Sequence, residues 1–356
     1  MDTETPDVLV VGLGPAGSRA AAAAAAAGFG VIAFERRAVA GSPVQCAEFV
    51  PTMIERDVPA VPSVTQQMIT RMLTFVEQRE PDETRDFCGR MIDRAAFDRM
   101  LAEDAARAGA SCRYGTAVDR IGVDGTVHSS DGGTLRPRVL IGADGPRSRV
   151  GAAIGQVNRA LVETRQVTVP LVLPRDATDI FLSANYRGGY GWLFPKGAVA
   201  NVGIGVAIEV RHKLKAMLTA LRANLATRRH IGTKAFDLTG GAIPVGGRLR
   251  VLGRLGQTVA LLAGDAAGLT NPVTGAGIAS AVQSGTLAGR AAVDWLAGRS
   301  GALSAYEEEL GDIFDAALGR AQRRRREVLA CYDDGGRPDA HTLSGGWIGS
   351  PRYWAA

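Results

Sequence analysis

The chain has 356 residues, 46% hydrophobic and 22% charged, a balance that builds a core and excludes a largely disordered protein. Its length suggests about two domains. The net charge of +5 selects no partner class on its own, and without a zinc-finger spacing, a basic tail or an RNA-binding aromatic signature, nucleic acid is not an expected partner.

The four cysteines, Cys46, Cys88, Cys112 and Cys331, form no C-x-x-C pair and no iron–sulfur spacing. The acidic start MDTETPD is unlike a secretory leader, and no apolar run reaches the roughly 20 residues of a spanning helix. These features point to a reducing cytoplasmic setting without disulfides.

In chain order, Val8 to Val11 reads as a short buried strand that runs into Gly12-Leu-Gly14-Pro15-Ala16-Gly17. An alanine-rich helix follows over Ser18 to Ala27 and stops at Gly28; a second strand, Val31 to Phe34, ends at Glu35. Strand, glycine turn, helix, strand and acid make a dinucleotide-binding half-unit. Gly12 permits the tight turn, Gly14 lets backbone approach a pyrophosphate, and Gly17 lets helix and strand pack closely. The helix N-terminus offers orphan N–H groups to the phosphates. Glu35, 23 residues beyond Gly12, is placed to accept from a ribose 2′-hydroxyl and would repel the 2′-phosphate of NADP. The motif does not distinguish NAD from FAD.

The spacing predicts an amphipathic helix over Arg90 to Gly109, with Phe97, Met100, Leu101 and Ala105 on one face. Short strands are expected at Val118–Ile121 and Thr126–His128, and a buried strand at Val139–Ile141 leads into Gly142-Ala-Asp144-Gly145. From Val167 to Val206 short strands alternate with turns. Within them Tyr190, Trp192 and Phe194 alternate, so a strand would turn all three to one side. That face is either a platform for an apolar substrate or ordinary core. A helix is expected at Lys213–Leu225, a strand at Val259–Ala263 meeting Gly264-Asp265, and long helices at Gly277–Trp295 and Ala302–Leu329. The last carries Arg323-Arg-Arg-Arg326, a site for an anionic headgroup, a diphosphate or a membrane surface, or else a solvated face. The four histidines, His128, His212, His230 and His341, fit no metal spacing, and no metal site is expected.

Several motifs carry a family resemblance. Gly142 to Ser148 resembles the "DG" segment of FAD-dependent hydroxylases of the p-hydroxybenzoate hydroxylase type. Gly264-Asp265-Ala-Ala-Gly268, with Pro272 and Gly275-Ala276-Gly277-Ile278, resembles their second FAD segment. Within that superfamily the chain resembles the geranylgeranyl reductase branch. Tyr190-Gly-Trp192-Leu-Phe194-Pro195 matches its YxWxFP motif, and Gly268 stands where aromatic hydroxylases usually carry histidine. Gln45-Cys46-Ala47-Glu48 is similar to its cysteine loop, and Trp347 to Trp354 to its C-terminal ending. Two features depart from the pattern: Phe49-Val50-Pro51 follows the cysteine loop where the branch often has glycine, and the chain is short.

The resemblance implies an α/β fold: a Rossmann-like, glutathione-reductase-type FAD-binding domain, an antiparallel-sheet substrate domain and C-terminal helices. The expected division is 1–70, 91–158 and 251–300 for the FAD domain, 71–90 and 159–250 for the substrate domain, and 301–356 for the helices. Cofactor contacts are expected from Gly12, Gly14, Pro15, Ala16 and Gly17, from Glu35 and Arg36, and from Cys46, Arg90 and Val118. Asp144, Asp265 and the Gly275, Ala276, Gly277, Ile278 turn complete the set, with Asp265 on the ribityl chain. Substrate contacts are expected from Tyr190, Trp192 and Phe194. Cys46 is the candidate catalytic residue, or else a small buried hydrophobe.

The implied function is hydride transfer from reduced FAD to an apolar, isoprenoid-like alkene or quinone. NAD(P)H, ferredoxin or flavodoxin would be the electron donor, and a membrane the peripheral contact. The alternatives are a monooxygenase acting on an aromatic small molecule or peptide side chain, and an electron-transfer flavoprotein to quinone. No lysine precedes Lys196, which speaks against a halogenase.

Overall fold

A computed structural model of the chain describes residues 3–355. It opens with β1 (Val8–Val11), α1 (Pro15–Ala26) and β2 (Val31–Glu35). All four β1 residues are buried, as an apolar run does when helices cover both faces of a parallel sheet. Helix α1 starts three residues earlier than the alanine pattern suggests, because Pro15 is tolerated at N1, where no N–H partner is needed.

Next come β3 (Phe49–Pro51), β4 (Thr65–Val76), β5 (Asp82–Ile92) and α2 (Arg94–Arg107). The expected helix over Arg90–Gly109 therefore begins late. Arg90 to Ile92 finish a strand, and Asp93 caps α2 by accepting from the Ala96 N–H at 2.9 Å. Phe97, Leu101 and Ala105 are buried along one face as the periodicity requires.

The middle of the chain holds β6 (Ser111–Tyr114), β7 (Val118–Ile121), β8 (Val127–Ser129), β9 (Thr134–Leu135), β10 (Val139–Gly142) and α3 (Arg149–Ala153). A β-rich stretch follows: β11 (Leu161–Pro170), β12 (Ala177–Leu182), β13 (Gly191–Lys196) and β14 (Val199–Ala207). After α4 (Leu214–Thr227) come β15 (Leu238–Thr239), β16 (Ala242–Pro244), β17 (Leu252–Leu255) and β18 (Thr258–Leu262). The chain closes with α5 (Ile278–Leu296), α6 (Ala302–Leu310), α7 (Ala316–Ala330), α8 (Ala340–Gly345) and α9 (Pro351–Trp354). One π-helical turn, Gly311–Asp315, interrupts the single helix expected over Ala302–Leu329, and Arg248 grips Asp315 there with paired bonds of 2.7 and 2.6 Å.

Six strands form one sheet in the order β17-β18-β10-β1-β2-β6, parallel except for β17. A nine-stranded sheet runs β15-β11-β14-β13-β12-β4-β5-β3, with β16 also pairing β11; β12 and β4 are its parallel neighbours. The strands β7, β8 and β9 make a small third sheet. Residues 65–70, expected with the nucleotide-binding unit, are the start of β4 and lie in the larger sheet, as does β3. The long hairpin of β4 and β5 is absent from the sequence reading because TQQMITRMLTFV mixes polar and apolar residues along a strand that is buried on alternate positions only near its end.

Helix α1 packs on α5 across small residues. A Cβ at Gly285 would lie 2.1 Å from the Ala16 carbonyl oxygen, and one at Gly289 would lie 2.5 Å from that of Ala20. Backbone meets backbone, so neither side can yield by rotating a side chain. Gly285→Val should force the helices apart and cost about 1–3 kcal/mol, read as a lower urea midpoint at unchanged slope. A wild-type midpoint would mean that the two helices do not touch.

Candidate cofactor and substrate site

The glycine turn is built on backbone contact. Gly12 has φ +94°, donates to the Phe34 carbonyl at 2.7 Å, and leaves room for no Cβ, which would fall 2.5 Å from the Ala143 oxygen. A Cβ on Gly17 would sit 1.7 Å from the Gly12 oxygen. Gly14, the N-cap of α1, instead faces open space. No side chain caps α1 and no acid occupies its first turn, so its leading N–H groups remain available for an anion. Gly14, Pro15 and Ala16 all line the main cavity.

Glu35 braces this turn. Its Oε2 accepts from the Leu13 N–H and its Oε1 from the Arg37 N–H, each at 3.0 Å. Arg36 beside it is exposed, and Arg37 turns to the Pro43 carbonyl and Gln45. Asp144 spends its carboxylate within the chain: Oδ1 accepts from Ser148 Oγ at 2.5 Å and Oδ2 from the Arg149 N–H at 2.6 Å, starting α3. Its neighbours Ala143 and Gly145 reach the cavity wall.

Asp265 also lines the cavity and accepts from Thr270 Oγ1 at 2.8 Å, and burial pushes its carboxyl up from the ordinary range. Gly275, Ala276, Gly277 and Ile278 lie on the same wall, with Gly277 as the N-cap of α5 and no side chain capping that helix. Two uncapped helix N-termini thus open into one cavity of about 520 Å³.

The opposite wall is aromatic. Tyr190, Trp192 and Phe194 all face the cavity, as their alternation requires. Tyr190 donates its hydroxyl proton to the Thr274 carbonyl at 2.6 Å, and Trp192 Nε1 donates to Gln166 Oε1 at 3.0 Å. Phe49 packs between Phe194 and Phe87, with centroids 6.0 and 5.3 Å away. Trp347, from the C-terminal segment, meets Tyr190 edge-on at 4.8 Å and lines the cavity too.

Cys46 sits on this wall as a free cysteine; its Sγ accepts from the Glu48 N–H at 3.1 Å, and burial pushes the thiol up so that it stays protonated at neutral pH. Three residues organise the loop around it: Glu48 belongs to the cysteine-loop segment itself, whereas no motif singled out Gln166 or Arg94. Gln166 donates from Nε2 to the Cys46 carbonyl at 3.0 Å. Glu48, buried and at φ +70°, accepts from Lys196 Nζ at 2.6 Å, Asn201 Nδ2 at 2.8 Å and the Arg94 N–H at 3.1 Å. Arg94 lines the cavity and pairs with Asp98 at 2.7 Å.

Seven of the expected cofactor residues, Gly12, Gly17, Glu35, Arg36, Arg90, Val118 and Asp144, are not on the cavity wall. Arg90 is not on the cavity wall; as a residue of β5 it turns to Glu55 at 2.7 Å and Thr65 at 3.3 Å, and Arg94, four positions on, holds the place beside the cavity. Val118 begins β7 buried in the core, off the cavity wall. The residues just before it do run beside Glu35, whose carbonyl accepts from the Thr116 N–H at 2.9 Å.

Comparison with known proteins bears on the family and the fold. A family model described as an FAD binding domain matches residues 89–321. The digeranylgeranylglycerophospholipid reductase of Methanocella arvoryzae is 32% identical, with the alignment covering 95% of this chain and 91% of that protein. The enzyme of the same name from Methanothrix thermoacetophila is 35% identical over 92% of this chain and 88% of its own length. The crystal structure of a geranylgeranyl bacteriochlorophyll reductase-like protein from Thermoplasma acidophilum has a TM-score of 0.83 at 27% identity, covering 96% of this chain and 90% of that one. With likeness in sequence over 95% of the chain and in fold over 96% of it, this chain belongs to the geranylgeranyl reductase family of FAD-dependent oxidoreductases.

Proposed function

We propose that the chain saturates carbon–carbon double bonds of an isoprenoid lipid, using hydride from reduced FAD. The observation that carries this reading is the single cavity whose wall passes from the two helix N-termini to the aromatic strand, so cofactor and apolar substrate share one chamber. The open space at Gly14 and the uncapped starts of α1 and α5 fit an FAD. In this reading the nucleotide-binding unit is discontinuous. It draws on the N-terminal third, the segment around Asp144 and the segment around Asp265, whose strands β1, β10 and β18 are parallel neighbours.

When bound, FAD would supply hydride chemistry, with one alkene carbon taking the hydride and the other a proton. The chain's own residues bind, orient and exclude water. The N-terminus of α1 would hold the pyrophosphate, Glu35 the ribose, and Asp265 the ribityl chain. The N-terminus of α5 would stabilise negative charge on the flavin pyrimidine. Tyr190, Trp192 and Phe194 hold the apolar chain against the flavin and keep water out. Cys46, protonated and on the cavity wall, holds a proton where a saturating carbon could take it.

The electron donor is a reduced nicotinamide or a ferredoxin- or flavodoxin-type protein. Such a lipid would bring the enzyme to a membrane surface, peripherally. Among the described residues no helix is long and apolar enough to cross a membrane.

The holoenzyme, reduced anaerobically and mixed with a polyprenyl lipid, should reoxidise as the lipid gains two hydrogens per double bond, measured by absorbance and mass spectrometry. Oxygen-dependent hydroxylation of an aromatic, with no alkene reduction, would support the monooxygenase reading instead. Glu35→Ala should weaken FAD binding by roughly 1.5–3 kcal/mol, since the turn loses its brace and the ribose its acceptor; unchanged retention in fluorescence titration would remove that role. Trp192→Ala should cost about 3 kcal/mol of substrate binding and raise KM while FAD content stays at one per chain. A Trp192→Ala protein that sheds FAD or unfolds would show that the ring serves only the core.

A further inference from the structure

The arginine run on α7 is divided by the helix. Arg323 and Arg326 are exposed, and Arg324 pairs with Glu327 at 3.0 Å. Arg325 turns inward. It lines both the main cavity and a smaller chamber of about 50 Å³, walled by Leu182, Val328, Leu329 and Leu343 beneath the C-terminal helices. The two spaces share Tyr190, Trp347 and Val273, so Arg325 stands where they meet.

Its hydrogen bonds are few. Nη1 donates to the Gly188 carbonyl and, at 3.4 Å, to that of Pro272. Among the described residues Nε and Nη2 have no hydrogen-bond partner, and no carboxylate lies within 4.0 Å of the guanidinium. Burial pulls Arg325 down to about 10, against a weak opposing pull from exposed Glu209, so the side chain remains a cation at neutral pH.

The other charges on the cavity wall are accommodated: Glu48 by Lys196, Arg94 by Asp98, and Asp265 by the Thr270 hydroxyl. Carbonyl oxygens solvate Arg325 but do not neutralise it, and a desolvated charge without a counter-charge is costly. Its free Nε and Nη2 form the side-on fork that matches two oxygens of a phosphate or carboxylate.

We propose that Arg325 is an anion-binding residue inside the cavity, seating the phosphoryl group of a lipid whose chains occupy the apolar space on either side. The lipid part of this inference rests on the reductase reading; the anion site stands on the unpaired guanidinium. A phosphate ester linked to apolar chains fits this position better than free phosphate, because Tyr190, Val273 and Trp347 surround it with apolar surface.

The test titrates FAD-loaded protein with a polyprenyl phosphate, the polyprenol of equal chain length, and inorganic phosphate, reading flavin fluorescence. Wild-type protein should prefer the polyprenyl phosphate over the polyprenol by about ten-fold or more, the scale of one charge-assisted contact. Arg325→Gln should bring that ratio near one, and Arg325→Lys should restore part of it. A ratio near one in the wild type, or a ratio that Arg325→Gln leaves intact, overturns the proposal. Inorganic phosphate that competes as well as the polyprenyl phosphate overturns the lipid as its source. Should Arg325→Gln fail to fold, the wild-type ratio together with Arg325→Lys decides. Tight, phosphate-dependent binding without double-bond reduction would instead sink the reductase reading and leave the anion site standing.

Discussion

The molecule depends on backbone passing against backbone at the end of its parallel sheet. Gly12 crosses Ala143, Gly17 lies on the Gly12 carbonyl, and Gly285 rests on Ala16. Contacts this close admit no side chain, so the turn after β1, the turn after β10 and helix α5 have one way to fit together. The consequence is directional. Helices α1 and α5 both begin, uncapped, at the same cavity, and their orphan N–H groups converge there. The packing constraint and the capacity for a phosphorylated cofactor are one feature.

A second constraint ties that end to the larger sheet. Glu48 is a non-glycine residue held at φ +70°, a conformation that persists only where its surroundings impose it. The surroundings here are Lys196 from β13, Asn201 from β14 and the first N–H of α2, all on one buried carboxylate. Between them they fix the Cys46 loop. Gln166 adds a second tie, bridging the Cys46 carbonyl to the Trp192 indole. The thiol and the aromatic wall are therefore positioned relative to each other by an amide whose two ends are both engaged.

Much of this was legible in the residues, and the failures have physical causes. Local rules sufficed for β1, α1 and β2, where an apolar run, a glycine turn and an acid follow in order. Alternation sufficed for Tyr190, Trp192 and Phe194, because strand geometry alone decides that they share a face. Arg90 was misplaced because RMIDRAAFDRM continues a helical pattern across a boundary that Asp93 sets by capping. Three residues before Asp93 an arginine faces Glu55, and one residue after it an arginine faces the cavity. Gln166 carries no local signal, and the segments that hold Glu48 and Arg325 do not say which way their side chains turn: each acquires its position from partners more than a hundred residues away. The run Arg323–Arg326 shows the limit most sharply, since four identical residues meet different environments on successive helix positions.

Charge placement in the cavity bears on how a saturation reaction could proceed there. Hydride delivery to an unactivated alkene leaves the neighbouring carbon in need of a proton, and water is the wrong donor if the chamber is to stay apolar. Cys46 is held as a thiol by burial, and the acid nearest to it in the chain, Glu48, is committed to Lys196 and Asn201. A carboxylate locked in three hydrogen bonds cannot shuttle protons without breaking them. What it can do is keep the loop fixed while the thiol faces the chamber. Both residues line the cavity, and they differ in how they are held: Glu48 is an anion locked as a brace, and Cys46 is a neutral thiol. An apolar enclosure favours the neutral group as proton carrier, because it penalises a charged group far more than a protonated thiol.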